Sequence, residues 1–301
     1  MKIEKKNTTI FFIGTRWMVL EKILDFPLKV AAILTPEGSY LEKELKSRKI
    51  AHKLLSSKDD TIDKINRADF DILVSNGCPY ILPISQLKKN GQLFINIHPS
   101  LLPDLRGGSP VNGAILYNKP AGATCHIMDD NVDTGPIISR VNVKRTENID
   151  LGLLYQLCFL AEADAFTIAY KRGFKPLAKR NINKANNIYY TRKQNDLFID
   201  FHDEIDNLIR KVKAFGVPSQ GSIFYYNNKM FKVLDAKPIT NKFLLSKLNN
   251  YDDGEIIFKY DNTIVVKLGC HLLEFCGIIG NMDYIEVGKN IFNSTGANVN
   301  T

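Results

Sequence analysis

The sequence predicts a doubly wound α/β domain with a mostly parallel sheet, followed by a smaller β-barrel domain. Three observations carry this. In residues 1–175, short apolar runs alternate with helical patterns, as in repeated βα units whose helices cover both faces of a parallel sheet. The first such unit is an apolar run, a glycine turn and a helix, which is the entry to a Rossmann-like sheet. In residues 201–301 the pattern changes to about five short strands separated by polar turns, which suits a small OB-like barrel.

The elements follow in order. Thr8–Ile13 is an apolar strand, Gly14-Thr15-Arg16 a turn, and Trp17–Leu24 a helix whose amino end favours anions. Val30–Leu34 and Asp71–Ser75 are strands, with helices over Tyr40–Arg48 and Thr61–Arg67 between them. QLFINIH alternates apolar and polar residues, so Asn96 and His98 share one strand face and Leu93, Ile95 and Ile97 the other. Pro110–Tyr117 is a helix with proline at its start, and Ala121–Met128 and Pro136–Val143 are strands flanking an Asp-rich turn. Asp150 caps a long helix, Leu151–Lys171, apolar nearly all round and therefore buried. Residues 176–200 are basic, polar and punctuated, and are assigned as a linker.

Composition sets limits on function. The chain has 301 residues with a net charge of +8, so an anionic partner is expected, although lysine is spread throughout rather than gathered in one run. Five cysteines fall in no C-x-x-C pair, which points to reduced thiols and a cytoplasmic setting without a metal cluster. The amino terminus reads as a strand rather than a signal peptide, and no apolar stretch is long enough to predict a membrane span.

The chemistry gathers between Phe94 and Gly135. Asn96 and His98 lie at the carboxyl end of their strand, because Pro99 and Pro103 forbid further pairing, and ligands bind at such ends in open α/β sheets. A carboxamide can stabilise an oxyanion and an imidazole can move a proton. The carboxylate that would orient the imidazole is Asp133, preferred to Asp129 and Asp130 because Gly135 and Pro136 follow it as turn residues. Each alone has a plainer reading, as a turn or core residue; together, around a glycine-rich loop, they read as a catalytic set.

Asn96-x-His98-Pro99-Ser100-Leu101-Leu102-Pro103, then Arg106-Gly107, then Asp133-Thr134-Gly135 resembles the signature of the folate-dependent formyltransferases. That superfamily includes methionyl-tRNA formyltransferase, glycinamide ribonucleotide transformylase and the sugar-nucleotide N-formyltransferases. The order I-D-F…L-I-R…P-x-x-G…K…G-x-I…V-V…L in the remainder of the chain is similar, more loosely, to the carboxyl-terminal domain that many of them carry. The resemblance implies 10-formyltetrahydrofolate as co-substrate, no metal, and transfer of its formyl group to a primary amine by Asn96, His98 and Asp133. It places Gly77, Cys78, Pro79, Tyr80 and Ile81 along the pterin, with Asp129, Asp130 and Asn131 on the folate side. An Asp133–His98 pair is expected to raise the pKa of the imidazole.

Methionyl-tRNA formyltransferases carry a basic insertion after the second strand, whereas the corresponding segment here, Leu34–Glu44, is short and net acidic. The resemblance is therefore closest to the sugar-nucleotide enzymes, acting on a nucleotide-diphosphate amino sugar for surface polysaccharide such as O-antigen. Arg106, Gly107, Gly108 and Ser109 are the candidate acceptor loop, with Tyr190 and Arg192 from the linker and Gly14 and Arg16 as a weaker phosphate site. Small-molecule substrates are expected rather than nucleic acid or membrane, with a homodimer left open. The competing readings are a methionyl-tRNA formyltransferase and, more distantly, a non-catalytic RNA-binding protein on the same fold; the latter lacks a cluster of aromatics within basic runs.

Overall fold

The structure, a computed structural model, describes residues 8–146, 149–178 and 187–292. The chain divides into two compact units: residues 1–111, 120–147 and 154–191 form one, and residues 112–119, 148–153 and 192–301 the other. The expected linker falls partly on residues 179–186, which lie outside the described residues.

The first unit is built on a seven-stranded sheet. Its strands are β1 (Thr9–Gly14), β2 (Lys29–Pro36), β3 (Lys53–Leu55), β4 (Ile72–Asn76), β5 (Leu93–His98), β6 (Ala121–Ile127) and β7 (Ile137–Val143), in the order β3-β2-β1-β4-β5-β6-β7. Pairing is parallel from β3 through β5 and antiparallel across β5–β6 and β6–β7. The order reverses between β1 and β4, where their ends open a crevice.

Strand β1 shows why its sequence has no polar face. Ile10 and Phe12 join the core on one side with α1 (Trp17–Asp25), α2 (Tyr40–Ser47) and α6 (Leu151–Lys171), while Phe11 and Ile13 join the core on the other. That second core is filled from α3 (Lys58–Arg67) and α4 (Ile84–Leu87) by Ile65, Ile84 and Leu87. A strand covered on both faces reads as a continuous apolar run. Gly14 is required by close approach, since a Cβ there would lie 2.0 Å from the carbonyl oxygen of Asn76.

Helix α6 corrects one expectation. At 21 residues it is long and apolar enough to cross a membrane by length and composition. In this fold Ala161, Ala165, Phe166, Ala169 and Tyr170 are buried in the core, while Leu153, Leu160 and Ile168 are 40–52% exposed, so the helix is buried on one face and not all round as expected. The short strand β3 and helix α4 were not anticipated, because three or four residues carry too little periodicity to read.

The second unit holds α7 (Ile205–Ala214), a hairpin of β8 (Ser222–Tyr226) and β9 (Lys229–Val233), and a four-stranded antiparallel sheet. That sheet comprises β10 (Asp235–Pro238), β11 (Ile256–Tyr260), β12 (Thr263–Leu268) and β13 (His271–Cys276), in the order β10-β13-β12-β11. Asn227 and Asn228 both take positive φ, 47° and 58°, as the tight hairpin turn requires. The expected closed OB-like barrel is not formed among the described residues. Strands β10 and β11 remain sheet edges, and the hairpin's backbone pairing with the segment after β13 is the isolated bridge Lys232–Ile279. A polar contact explains why residues 112–119 group with this unit: buried Asn112 Nδ2 donates to the Ala214 carbonyl at 2.7 Å.

Candidate functional site

The catalytic candidates are assembled by strand pairing. Asn96 and His98 stand two apart at the end of β5, and antiparallel pairing sets His126 on β6 directly opposite Asn96. Asp133 follows on the turn between β6 and β7 with φ 55°, a left-handed conformation that aspartate tolerates better than most residues. The turn is tied by Asp129, whose Oδ1 accepts from the Thr134 hydroxyl at 2.7 Å and from the Asn131 amide at 3.2 Å. Gly135 is forced here, as a Cβ would sit 1.8 Å from the Ile127 carbonyl oxygen.

Asp133 is the hub. Its Oδ2 accepts from the Gly107 amide at 3.0 Å and lies 3.6 Å from His98 Nδ1. Its Oδ1 accepts from Asn96 Nδ2 at 3.3 Å and lies 3.5 Å from His126 Nε2. Burial alone would push this carboxyl up, but His126, His98 and the Gly107 amide outweigh it and hold the pKa down at about 2. The carboxylate is therefore ionised whenever the protein is at neutral pH.

His98 is buried, at 6% exposure, and its Nε2 lies 2.9 Å from the Leu105 carbonyl oxygen. A carbonyl only accepts, so Nε2 carries the hydrogen and Nδ1 keeps the lone pair in the neutral ring. The net pKa shift is opposite to the one expected. Burial lowers it below the ordinary imidazole value, and Asp133 with the Leu105 carbonyl offsets this only in part. The ring is thus a neutral base near pH 7, with its basic atom facing a fixed negative charge.

These groups line a cleft of about 540 Å³ within the first unit, a size suited to a cofactor-sized ligand. Gly77, Cys78, Pro79, Tyr80 and Ile81 all line it, with Ile81 62% exposed. Gly77 has φ 79°, which glycine supplies without strain. Cys78 is no nucleophile: burial pushes its thiol up to about 11. Asp129 and Asn131 also line the cleft, and so do Gly107 and Gly108.

Several expected residues sit elsewhere. Asp130 is not in the lining; its carboxylate accepts from the Ser85 amide at 2.9 Å and caps α4. Arg106 and Ser109 are outside it too. Their amides donate to the Ile188 and Tyr190 carbonyls, so this loop runs alongside residues 188–190 as a short ladder. Tyr190 is 6% exposed and belongs to the core, whereas Tyr189 and Thr191 face the cleft. The sequence reading chose the wrong parity in a segment with no alternation to guide it. Arg192, the next residue of the chosen parity, is exposed and belongs to the second unit.

Gly14 does not line the cleft, and Arg16 does so as half of an ion pair. Arg16 Nη1 contacts Glu162 Oε1 from α6, and its guanidinium lies 4.5 Å over the Phe159 ring. Glu162 is wholly buried, and that burial pushes its pKa up to about 7 despite Arg16. Its Oε2 and the Oδ1 of buried Asn76 have no hydrogen-bond partner, while Asn76 Nδ2 donates to the Ile97 carbonyl at 3.1 Å, between Asn96 and His98. Sequence reasoning missed Glu162, Asn76 and His126. The single visible signal was a lone acid on the buried face of an apolar helix.

Comparison with known proteins agrees with this architecture. The family model described as formyl transferase matches residues 35–167, and that described as formyl transferase, C-terminal domain, matches residues 192–279. A methionyl-tRNA formyltransferase of Orientia tsutsugamushi is 25% identical over 89% of this chain and 91% of its own length. One from Rickettsia typhi is 30% identical over 60% of this chain and 59% of its own. Among solved structures, an N-formyltransferase from Helicobacter canadensis in complex with folinic acid and dTDP-3-aminofucose superposes with TM-score 0.65 at 16% identity, covering 89% of this chain and 98% of that one. A 4-N formyltransferase from Francisella tularensis gives TM-score 0.61 at 22% identity over 74% and 95%.

Proposed function

This chain belongs to the formyltransferase family, and on that premise we propose that it moves the formyl group of 10-formyltetrahydrofolate to the primary amine of a nucleotide-linked amino sugar. The observation that carries the reaction is the convergence of Asn96, His98 and Asp133 on one cleft. The amine lone pair attacks the formyl carbon, a C–N bond forms, and the carbonyl electron pair moves onto oxygen. An Asn96 amide hydrogen meets that oxyanion, and a donor of this kind typically lowers the barrier by ~3 kcal/mol. His98 Nδ1 takes the proton from the attacking nitrogen, and the ionised Asp133 carboxylate stabilises the imidazolium that results. The proton then passes to the folate nitrogen as its bond to the formyl carbon breaks.

The sugar-nucleotide acceptor is supported by the connection after β2. Only Glu37, Gly38 and Ser39 separate β2 from α2, and Gly38 and Ser39 are consumed in starting that helix: Gly38 N donates to Glu42 Oε2 and Ser39 Oγ accepts from the Glu42 amide at 3.1 Å. This leaves no room for a basic loop that would enter a tRNA stem. For the acceptor we assign Gly107, Gly108, Tyr189 and Thr191 on the cleft. The identity to methionyl-tRNA formyltransferases favours the second reading, in which the acceptor is initiator methionyl-tRNA. Incubating the enzyme with 10-formyltetrahydrofolate and a panel of dTDP- and UDP-linked amino sugars, with methionyl-tRNA in parallel, separates the two by mass gain. Formylation of a nucleotide sugar is expected; efficient formylation of the tRNA alone would replace this reading with the second.

A further inference from the structure

Asn96 has only two amide hydrogens, and both are already engaged. Its Nδ2 lies 3.3 Å from Asp133 Oδ1 and 3.3 Å from His126 Nε2. The amide cannot turn over to free them, because that would press its oxygen against an ionised carboxylate. His126 is 2% exposed and its ring is fixed at the other edge: Nδ1 lies 2.9 Å from the Ile127 carbonyl, which only accepts. In the neutral ring Nδ1 therefore carries the hydrogen, and Nε2 offers its lone pair to the second hydrogen of Asn96. In that state nothing remains for an oxyanion.

A second proton on His126 reverses this. Nε2 becomes a donor aimed at Asp133 Oδ1, 3.5 Å away, and the Asn96 hydrogen it had held is released. We propose that His126 is a positioning residue that decides whether Asn96 has a hydrogen to offer the oxyanion, a role that rests on the formyl-transfer reading above. The titratable and charged groups that face His126 are Asp133 from the turn and His98 from β5; its partner across the β6–β7 ladder, Ile137, carries no charge. The proton needed exchanges with water, and no further reactant enters. The register that sets Asn96 against His126 is fixed by the β5–β6 ladder, so the competition is built into the sheet and not into a loop.

The test compares wild type with His126→Met, which can neither accept from Asn96 nor titrate, and His126→Gln, whose amide oxygen accepts at every pH. Wild-type kcat is expected to fall with rising pH, because only the His126 ring with both nitrogens protonated releases the Asn96 hydrogen. His126→Met loses that decline. His126→Gln is slowed about tenfold or more where wild-type His126 carries both protons and converges on wild type at high pH, with the acceptor KM changed less than kcat. A His126→Met profile superimposable on wild type, or effects confined to KM, would overturn the proposal. A second measurement needs no substrate: the side-chain NH₂ resonances of Asn96, identified by their loss in Asn96→Asp, should shift with pH in wild type and stay fixed in His126→Met. Absence of that shift overturns the proposal by itself, whereas the shift together with no formyl transfer to any amine overturns only the functional reading.

Discussion

Replacing Glu162 by glutamine should change how stability depends on pH, by an amount the structure sets. Burial raises this carboxyl from 4.5 to about 7, so the folded protein holds its proton more tightly than the unfolded chain does. A group of this kind contributes its stability in full below the unfolded pKa and loses it as pH rises through the folded value. The gap corresponds to ~3 kcal/mol at 1.36 kcal/mol per unit, of which ~2–3 kcal/mol falls between pH 5 and pH 8. His98, lowered by burial, has the opposite slope below its unfolded value, so the difference between variant and wild type is the quantity to follow. Asp133, held at about 2, acts below this window. Urea unfolding of both proteins at the two pH values gives that difference directly, and Glu162→Gln should gain ~2–3 kcal/mol on wild type between pH 5 and pH 8. Parallel behaviour of the two proteins would mean that Glu162 stays ionised in its pocket, and the reasoning from its unpartnered Oε2 would fail.

Other substitutions separate the roles assigned to neighbouring residues. Tyr189→Ala should raise the acceptor KM with little loss of stability, whereas Tyr190→Ala removes a core side chain and should cost ~3–5 kcal/mol in denaturant titration. Similar effects of the two would refute the assigned parity. Gly107→Ala should lower kcat about tenfold or more, since φ 100° and a Cβ 2.7 Å from the Tyr190 carbonyl oxygen displace the amide that holds Asp133. Asn96→Ala and His98→Ala should each lower kcat by about two orders of magnitude or more at saturating substrate while far-ultraviolet dichroism stays unchanged; near-normal turnover in either would remove it from the mechanism.

Much of the site was legible because strands advertise their faces. QLFINIH alternates, so the shared face of Asn96 and His98 could be read, and the turn chemistry after Asp133 singled it out from two neighbouring aspartates. His126 was hidden for the opposite reason: every residue of β6 from Ala121 to His126 is buried, and a strand covered on both faces shows no alternation. Tyr189 and Thr191 were missed for want of any periodic context. The second domain was legible as short strands with polar turns, but not as a hairpin beside an open sheet, because closure depends on which edges meet and edges leave no mark in local sequence.

Two of the contacts that hold the catalytic side chains come from main-chain atoms, the Leu105 carbonyl on His98 and the Gly107 amide on Asp133. An alanine scan deletes neither atom, so such a scan would report residue 105 through its packing and residue 107 through its conformation. Their chemical share emerges only when the backbone itself is edited. Proline at 107 deletes the donor, and an ester in place of the 107 amide deletes it without adding a side chain. In a library of tolerated sequences this stretch would therefore be recorded as a constraint of shape, although it sets the protonation chemistry of the cleft.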